Sequence, residues 1–413
     1  MTSKSYYPRT ALFLLTALNL LNYMDRSVLS AVQSQIQDEF HCSHTEIGFV
    51  TTAFFWVYML AAPLIGPLAD RFSRKWIVVT GGVLWSLATL LTAVTHSYST
   101  LLFRHAIVGI GEASFGILAP TLIADLFPES KRGRILGVFY LAIPVGTALG
   151  YIVGGQIGQS HGWRAPFYLA GAPGILLALL IAFLPEPPRG SQDSIPETTE
   201  RKSILGLARN PAFWTATLGM AFMTFAIGGI SVWMPTFLQR ERHYTESYAG
   251  VMFGLVLAFD GIVASLLGGW LGDKLLPRFK GAYYMVSAIS LGLGVPAMLV
   301  ALNTSGRPMW IAILVAGFFL LLNTSPLNAA LINAVGPHIR AFALAVNIFV
   351  IHLLGDAFSP TIIGNIADHS SLRLGLSTTS IALALSSIVL FYGARFAPRM
   401  GAGPQKPLAA AQA

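Results

Sequence analysis

Twelve stretches of about twenty mostly apolar residues follow one another along this chain, parted by short polar segments. They fall near residues 10–33, 46–69, 76–96, 99–124, 133–158 and 164–184, then near 211–239, 248–273, 282–302, 308–332, 341–366 and 372–396. About twenty such residues make a helix long enough to cross a hydrocarbon layer roughly 30 Å thick. Composition agrees: 54% of the 413 residues are hydrophobic and only 11% are charged. A soluble domain carries about 25% charged residues, so there is too little polar surface here to coat a water-soluble particle of this size. Lipid must be the solvent for most of the exterior. The expected fold is an all-α membrane protein.

The longest polar stretch, Pro185 to Asn210, holds Pro185, Pro187, Pro188 and Pro196 and divides the apolar runs six and six. It reads as a linker (185–210) between an N-terminal six-helix bundle (1–184) and a C-terminal one (211–413), with a short surface helix expected near Thr198–Ala208. With the N-terminus inside, the cytoplasmic segments hold 19 Lys and Arg and the outer loops hold 5, namely Arg164, Arg240, Arg242, Arg307 and Arg373. That bias predicts both termini in the cytoplasm and requires an even number of spans. The net charge of +8 is therefore read as topology rather than as a nucleic-acid surface. No cleavable leader is expected, because the first apolar run carries Asn19, Asn22, Asp25 and Arg26. A single cysteine, Cys42, excludes an intrachain disulfide.

An internal repeat is visible. Gly66-Pro67-Leu68-Ala69-Asp70-Arg71 follows the second run, and Gly269-Trp270-Leu271-Gly272-Asp273-Lys274 follows the eighth, 203 residues later. Two equivalent halves place a binding site between them near mid-membrane. The segment Gly66 to Lys75 resembles the signature loop of the major facilitator superfamily, with its weaker copy where that family has one. A narrower resemblance is to the Spinster-like branch. It is carried by Leu21-Asn22-Tyr23-Met24-Asp25-Arg26, Gly109-Ile110-Gly111-Glu112-Ala113-Ser114, Ala119 to Pro128, and Ala142-Ile143-Pro144-Val145-Gly146. The resemblance implies two pseudo-symmetric six-helix bundles and transport of lipids such as lysophospholipids or sphingosine phosphate. For bacterial relatives, among which the compact chain with short tails places this one, it also implies coupling to protons. The run Gly146 to Gly155 is similar to the glycine motif of proton antiporters, with Tyr151 where that motif has proline. Physically, its glycines four apart let two helices approach closely.

Charges inside a membrane helix cost about 2.5–3.5 kcal/mol each on insertion scales, so the few present are the candidates for function. Asn19, Asn22, Asp25 and Arg26 form one stripe of the first helix. Asp25 is a candidate proton site, and Arg26 a candidate anchor for an anionic headgroup. Glu112 stands among glycines with no basic residue near it in sequence, which makes it the stronger proton candidate of the two. Arg26 is taken as the basic neighbour of Asp25. Tyr23, Arg104, Tyr140, Tyr151, Trp233, Asn323 and Asn328 are candidate substrate contacts. Asn323 and Asn328 flank Pro326, which frees a backbone carbonyl. His352 and Asp356, four apart, share a helix face and are expected to pair; Asp260 reads as support for a bend at Gly261. Asp70, Arg71, Arg74 and Asp273 are expected at a cytoplasmic gate, where a carboxylate can meet a helix N-terminus of the other half.

The sequence shows no Gly-Lys-Ser/Thr phosphate loop, no metal-spaced Cys/His cluster and no nucleophile with its acid–base partners. No cofactor, no metal and no enzymatic activity are expected. The reading is a monomeric, inner-membrane secondary transporter that works by alternating access. It is proton-coupled and moves an amphipathic anionic lipid. A small organic anion or drug-like substrate is the alternative, and a non-transporting receptor a further one.

Overall fold

Short polar starts set the helices. The computed structural model describes residues 7–189, 191, 204–336 and 339–398, and among these it contains helices and no strand. The first half holds α1 (Tyr7–Phe40), α2 (His44–Arg71), α3 (Arg74–Thr92), α4 (Tyr98–Leu126), α5 (Glu129–Tyr140), α6 (Ala142–His161) and α7 (Ala165–Ala182). A five-residue helix, α8 (Ile204–Ala208), lies in the linker. The rest of the expected surface helix, 198–203, lies outside the described residues. The second half holds α9 (Pro211–Arg240), α10 (Glu246–Leu275), α11 (Ala282–Asn303), α12 (Gly306–Leu322), α13 (Thr324–Asn333), α14 (Arg340–Ile351), α15 (Ser359–His369) and α16 (Leu372–Gly393). Ser43, Ser73, Ser97, Asn210, Thr245 and Ser371 each accept the amide of the residue three ahead, which fixes where α2, α3, α4, α9, α10 and α16 begin.

Eleven stretches are long and apolar enough to span a bilayer, with α5–α6, α12–α13 and α14–α15 each counting as one. The twelfth is α1. Its 34 residues reach about 51 Å, but its polar stripe keeps it from scoring as an apolar span. It runs to Phe40, beyond the expected end near 33, because Gln33 and Ser34 find partners across the molecule instead of ending the helix. Two spans are broken. Asn323 interrupts α12–α13 and turns its amide back on the carbonyls of Leu320 and Phe319. A π-helical turn at His352–Asp356 joins α14 to α15, with Gly355 at φ −103°, ψ −106°.

The glycines of α6 seat it against α1. A Cβ at Gly146 would sit 2.3 Å from the Leu20 carbonyl oxygen, and one at Gly150 would sit 2.4 Å from that of Met24. The opposite face of α6 meets α10 as closely, with Gly155 and Gly250 each against the other helix's backbone.

The two halves touch mainly at the end carrying the α1–α2 loop. There α1 meets α9, α6 meets α10, and α2 meets α15. Gln33 Nε2 donates to the Val232 carbonyl at 2.9 Å and to Thr236 Oγ1 at 2.5 Å. Arg240 Nη2 pairs with Asp38 at 2.5 Å. Asp368 of α15 caps α2, accepting the amides of His44 and Thr45 at 2.8 Å each, Thr45 Oγ1 at 2.6 Å and the His44 ring at 2.9 Å. One apolar cluster crosses this seam, with Val28, Val32, Trp233 and Phe237 in it. At the linker end, apolar clusters belong to one half or the other, with Leu14, Ile65, Ile77 and Leu122 in the first and Ala264, Val286 and Leu322 in the second. There Leu60, Leu64 and Leu68 of α2 and Ile348 and Phe349 of α14 are exposed. The molecule is closed at one end and open at the linker end.

Candidate functional site

The helix-one stripe lies where the two halves diverge. Asn19, Asn22 and Asp25 are buried, and Asn19 donates to the Phe139 carbonyl at 3.1 Å. Neighbouring residues on a helix point about 100° apart, and Asp25 and Arg26 part accordingly. Asp25 turns to α3, where Thr89 Oγ1 donates to its Oδ2. Arg26 turns to α4, and its Nε meets Glu112 Oε2 at 2.6 Å. The expectation that Arg26 serves Asp25 is therefore corrected: Arg26 pairs with Glu112, which has no basic residue near it in sequence and takes its partner from another helix.

The Arg26–Glu112 pair is asymmetric. The Arg26 side chain is 24% exposed, whereas that of Glu112 is fully enclosed. Glu112 uses one oxygen; Oε1 has no hydrogen bond of normal geometry, although the Asn22 side chain stands beside it. The guanidinium is packed by rings, 4.9 Å from the centroid of Tyr23, 5.0 Å from Phe54 and 5.5 Å from Tyr58. A planar cation in an aromatic cage gains cation–π stabilisation without losing its charge. Such a cation can hold a phosphate or carboxylate bidentately once its own carboxylate lets go.

The second half closes the cluster. His352 Nδ1 lies 2.9 and 3.0 Å from the two Asp356 oxygens, so the i,i+4 pair forms, on the π turn. The His352 ring stacks on Phe55 at 5.7 Å and lies 6.0 Å from Tyr58. Tyr58 thus touches both Arg26 and His352, and the ionisable groups of the two halves share one aromatic wall. Sequence reasoning missed Phe54, Phe55, Tyr58, Thr89 and His105. His105 is buried one ring contact away, 5.5 Å from Phe54. It lies seven residues before Glu112, on the same face of α4, and that spacing was the available signal.

Several other expected contacts lie elsewhere. Tyr151 is 1% exposed; its hydroxyl donates to the Ser231 carbonyl at 2.6 Å and its ring packs on Phe253, so it bolts the halves together. Trp233 is fully buried in the closed end, donating to the Pro360 carbonyl at 2.8 Å. Arg104 caps the end of α3 through the Leu91 carbonyl and Thr95 Oγ1. Asn323 is buried on its own helix, and Asn328 bonds the Thr324 carbonyl of its own turn at 2.8 Å. Among the expected contacts, Tyr140 remains exposed at the open end, at 46%, beside the Arg26 cluster.

Among the described residues, the expected gate residues make no pair from one half to the other in this conformation. Asp70 is exposed and lies 3.7 Å from Arg189 of its own half. Asp273 accepts the Tyr283 hydroxyl at 2.7 Å, and Arg71 is exposed. Arg74 is buried and meets Asp125 at 2.6 Å, with Glu186 at 3.8 Å. Removing one member of a buried pair strands the other at a cost of about 3–5 kcal/mol. Arg74→Leu is expected to lower the melting temperature of the purified protein markedly, and adding Asp125→Asn is expected to recover most of the loss. Identical melting curves for the three proteins would show that the pair carries no stability.

Three comparisons bear on this geometry. Residues 15–360 match the profile of the Major Facilitator Superfamily. The chain is 36% identical to protein spinster homolog 3 of Danio rerio over 383 residues, covering 87% of this chain and 77% of that protein. It is 35% identical to protein spinster homolog 1 of Xenopus tropicalis over 392 residues, covering 89% and 74%. It superimposes with a TM-score of 0.87, at 24% identity and covering 95% and 98%, on a bacterial homolog to human lysosomal transporter, spinster, in an inward-facing and unoccupied conformation.

Proposed function

Because the chain belongs to the Major Facilitator Superfamily, and within it to the spinster homologues, we propose that it is a proton-coupled transporter of an amphipathic anionic lipid, such as a lysophospholipid. The observation that carries this reading is the caged Arg26–Glu112 pair at the apex of an opening that reaches the linker end. An anionic headgroup and Glu112 compete for one guanidinium. If the headgroup takes Arg26, the enclosed Glu112 is left without its counter-charge and is neutralised by a proton, since an unpaired ion is costly there. Substrate and proton are then linked at one residue. The halves 1–184 and 211–413 rock about the α1–α9 and α6–α10 contacts, which is alternating access, with one chain as the working unit.

The apolar portion of the substrate fits the lateral gap. α2 packs on α15 and on the π turn but parts from α14, leaving Leu60, Leu64 and Leu68 uncovered. A lipid tail can stay in that gap while its headgroup reaches Arg26. Asp25 and the His352–Asp356 pair complete the proton machinery in this reading, and Asp70, Arg71, Arg74 and Asp273 form the gate of the opposite conformation. Uptake of a labelled lysophospholipid into proteoliposomes under an imposed pH gradient tests it. Equal uptake with and without the gradient removes proton coupling. Uptake of small organic anions but of no lipid transfers the site to the alternative substrate class.

We further propose that the linker end is the cytoplasmic side of an inner membrane, so that this structure is inward-open. Cys42 then lies outside. It is half-buried, and burial, with Glu46 nearby, pushes its thiol up to about 11. The thiolate is then scarce at neutral pH, so an impermeant maleimide is expected to label intact cells slowly, at a rate that rises as the external pH is raised. Labelling only after permeabilisation would reverse the topology.

A further inference from the structure

Asp260 lies on α10, away from the cluster at Arg26, and is fully buried. Neither carboxylate oxygen has a hydrogen-bond partner among the described residues. Space for the group is made by a glycine: a Cβ at Gly317 of α12 would sit 2.3 Å from Asp260 Oδ2. An apolar cavity adjoins it, lined by Gly317, by Val256 and Leu257 one turn before Asp260, and by Ile230, Met298 and Ile313.

Among the described residues, no counter-charge reaches this carboxyl. On α10 the other ionisable groups are Glu246, Tyr248, Asp273 and Lys274; the nearest in sequence is twelve residues off, roughly 18 Å along the axis. On the helices packed around α10, Tyr151 of α6 is committed to Ser231 and His161 ends that helix against Ser160, while Tyr283 of α11 is committed to Asp273 and Tyr284 to the Ala212 carbonyl. Arg307 begins α12, ten residues (about 15 Å) before Gly317. Arg240 ends α9 on Asp38; α13 carries no ionisable residue. On α1, Asp25 and Arg26 are committed to Thr89 and Glu112, and Asp38 and Glu39 to Arg240 and Arg164. An ionised carboxylate with neither cation nor donor is too costly in an apolar interior to persist.

We propose that Asp260 is a further proton-binding site, occupied in this conformation and separate from the Arg26–Glu112 cluster. A proton suits it better than a metal cation, because Na⁺ needs a shell of several oxygens and the adjoining cavity offers apolar side chains and a single hydroxyl, that of Ser231. The site also moves with the transport cycle. The residue beside it, Gly261, packs on Pro144 of the other half, where a Cβ would lie 2.8 Å from the proline ring. Rocking of the halves therefore shears the seam next to the carboxyl. This role in the cycle rests on the alternating-access reading; occupancy by a proton does not.

The test is infrared spectroscopy of the purified protein. The wild type is expected to show the carboxylic C=O band of an acid without hydrogen bonds, and Asp260→Asn to lose it. Asp260→Glu should keep the band at a shifted frequency, and Glu112→Gln should leave it in place. An Asp260→Asn spectrum unchanged in that region overturns the proposal while leaving the function at Arg26 untouched. Loss of the wild-type band on adding Na⁺ overturns the choice of the proton. In D₂O the band is expected to shift slowly at rest and at least tenfold faster during turnover in proteoliposomes. Exchange at one rate in both conditions, in liposomes that do transport, overturns the role in the cycle.

Discussion

Arg26→Ala is expected to abolish binding of the anionic substrate, lowering affinity at least a hundredfold, which corresponds to about 3 kcal/mol. The guanidinium is partly exposed at the apex of the opening, and the rings of Tyr23, Phe54 and Tyr58 that cage it supply no cation in its place. Truncation also strands Glu112 in a buried setting, at a cost of about 3–5 kcal/mol, so loss of binding alone could reflect loss of fold. Glu112→Gln separates the two effects. It removes the competitor for Arg26 and keeps its shape, so binding should be retained or tightened. Accumulation driven by a pH gradient should fall at least tenfold, with substrate exchange surviving. In the double variant Arg26→Ala with Glu112→Gln, stability should return and binding should not. Arg26→Lys should bind only weakly, because an ammonium neither forks around a phosphate nor stacks flat on Tyr23 and Phe54. Gradient-driven transport by Glu112→Gln at the wild-type rate would reduce the pair to a structural brace, and proton coupling would pass to Asp25 or to His352–Asp356.

Asp368→Asn is expected to shift the molecule toward the conformation open at the other end. Both Asp368 oxygens accept: Oδ1 from His44 and Oδ2 from Thr45. An asparagine replaces one acceptor with a donor that faces the Thr45 amide or the His44 amide. It also removes the negative charge from the N-terminus of α2, a placement worth about 0.3–1 kcal/mol where exposed. Hydrogen bonds to a charged group contribute about 1.5–3 kcal/mol each, and partial exposure at this end reduces that. A net shift of about 2 kcal/mol changes the population ratio roughly thirtyfold. Spin labels at His96, in the loop between α3 and α4, and at Arg307, in the first turn of α12, would report a longer distance across the closed end in a Cys42→Ser background. An unchanged distance distribution would move the latch from Asp368 to the Gln33 and Arg240 contacts.

The sequence alone determined the solvent, the number of crossings and their division into halves. These depend on composition and on runs of about twenty residues, which lipid imposes locally on each helix. It also placed the polar stripe of α1, the His352–Asp356 pair and the close seat of α6, because helical periodicity and glycine spacing act over a few residues. Partner choice was not local. Asp25 and Arg26 are adjacent in the chain, yet one faces Thr89 and the other Glu112, 86 residues away in sequence. Nothing in the sequence around Glu112 announced a cation. Tyr151 and Trp233 looked like cavity aromatics and lie buried in the closed seam in this conformation, since whether a ring faces a cavity or a packed seam depends on how distant helices are set against one another. The contacts that close one end arose at Asp368 and not at Asp70, because closure joins residues 324 apart in the chain, and only the tertiary structure brings those together.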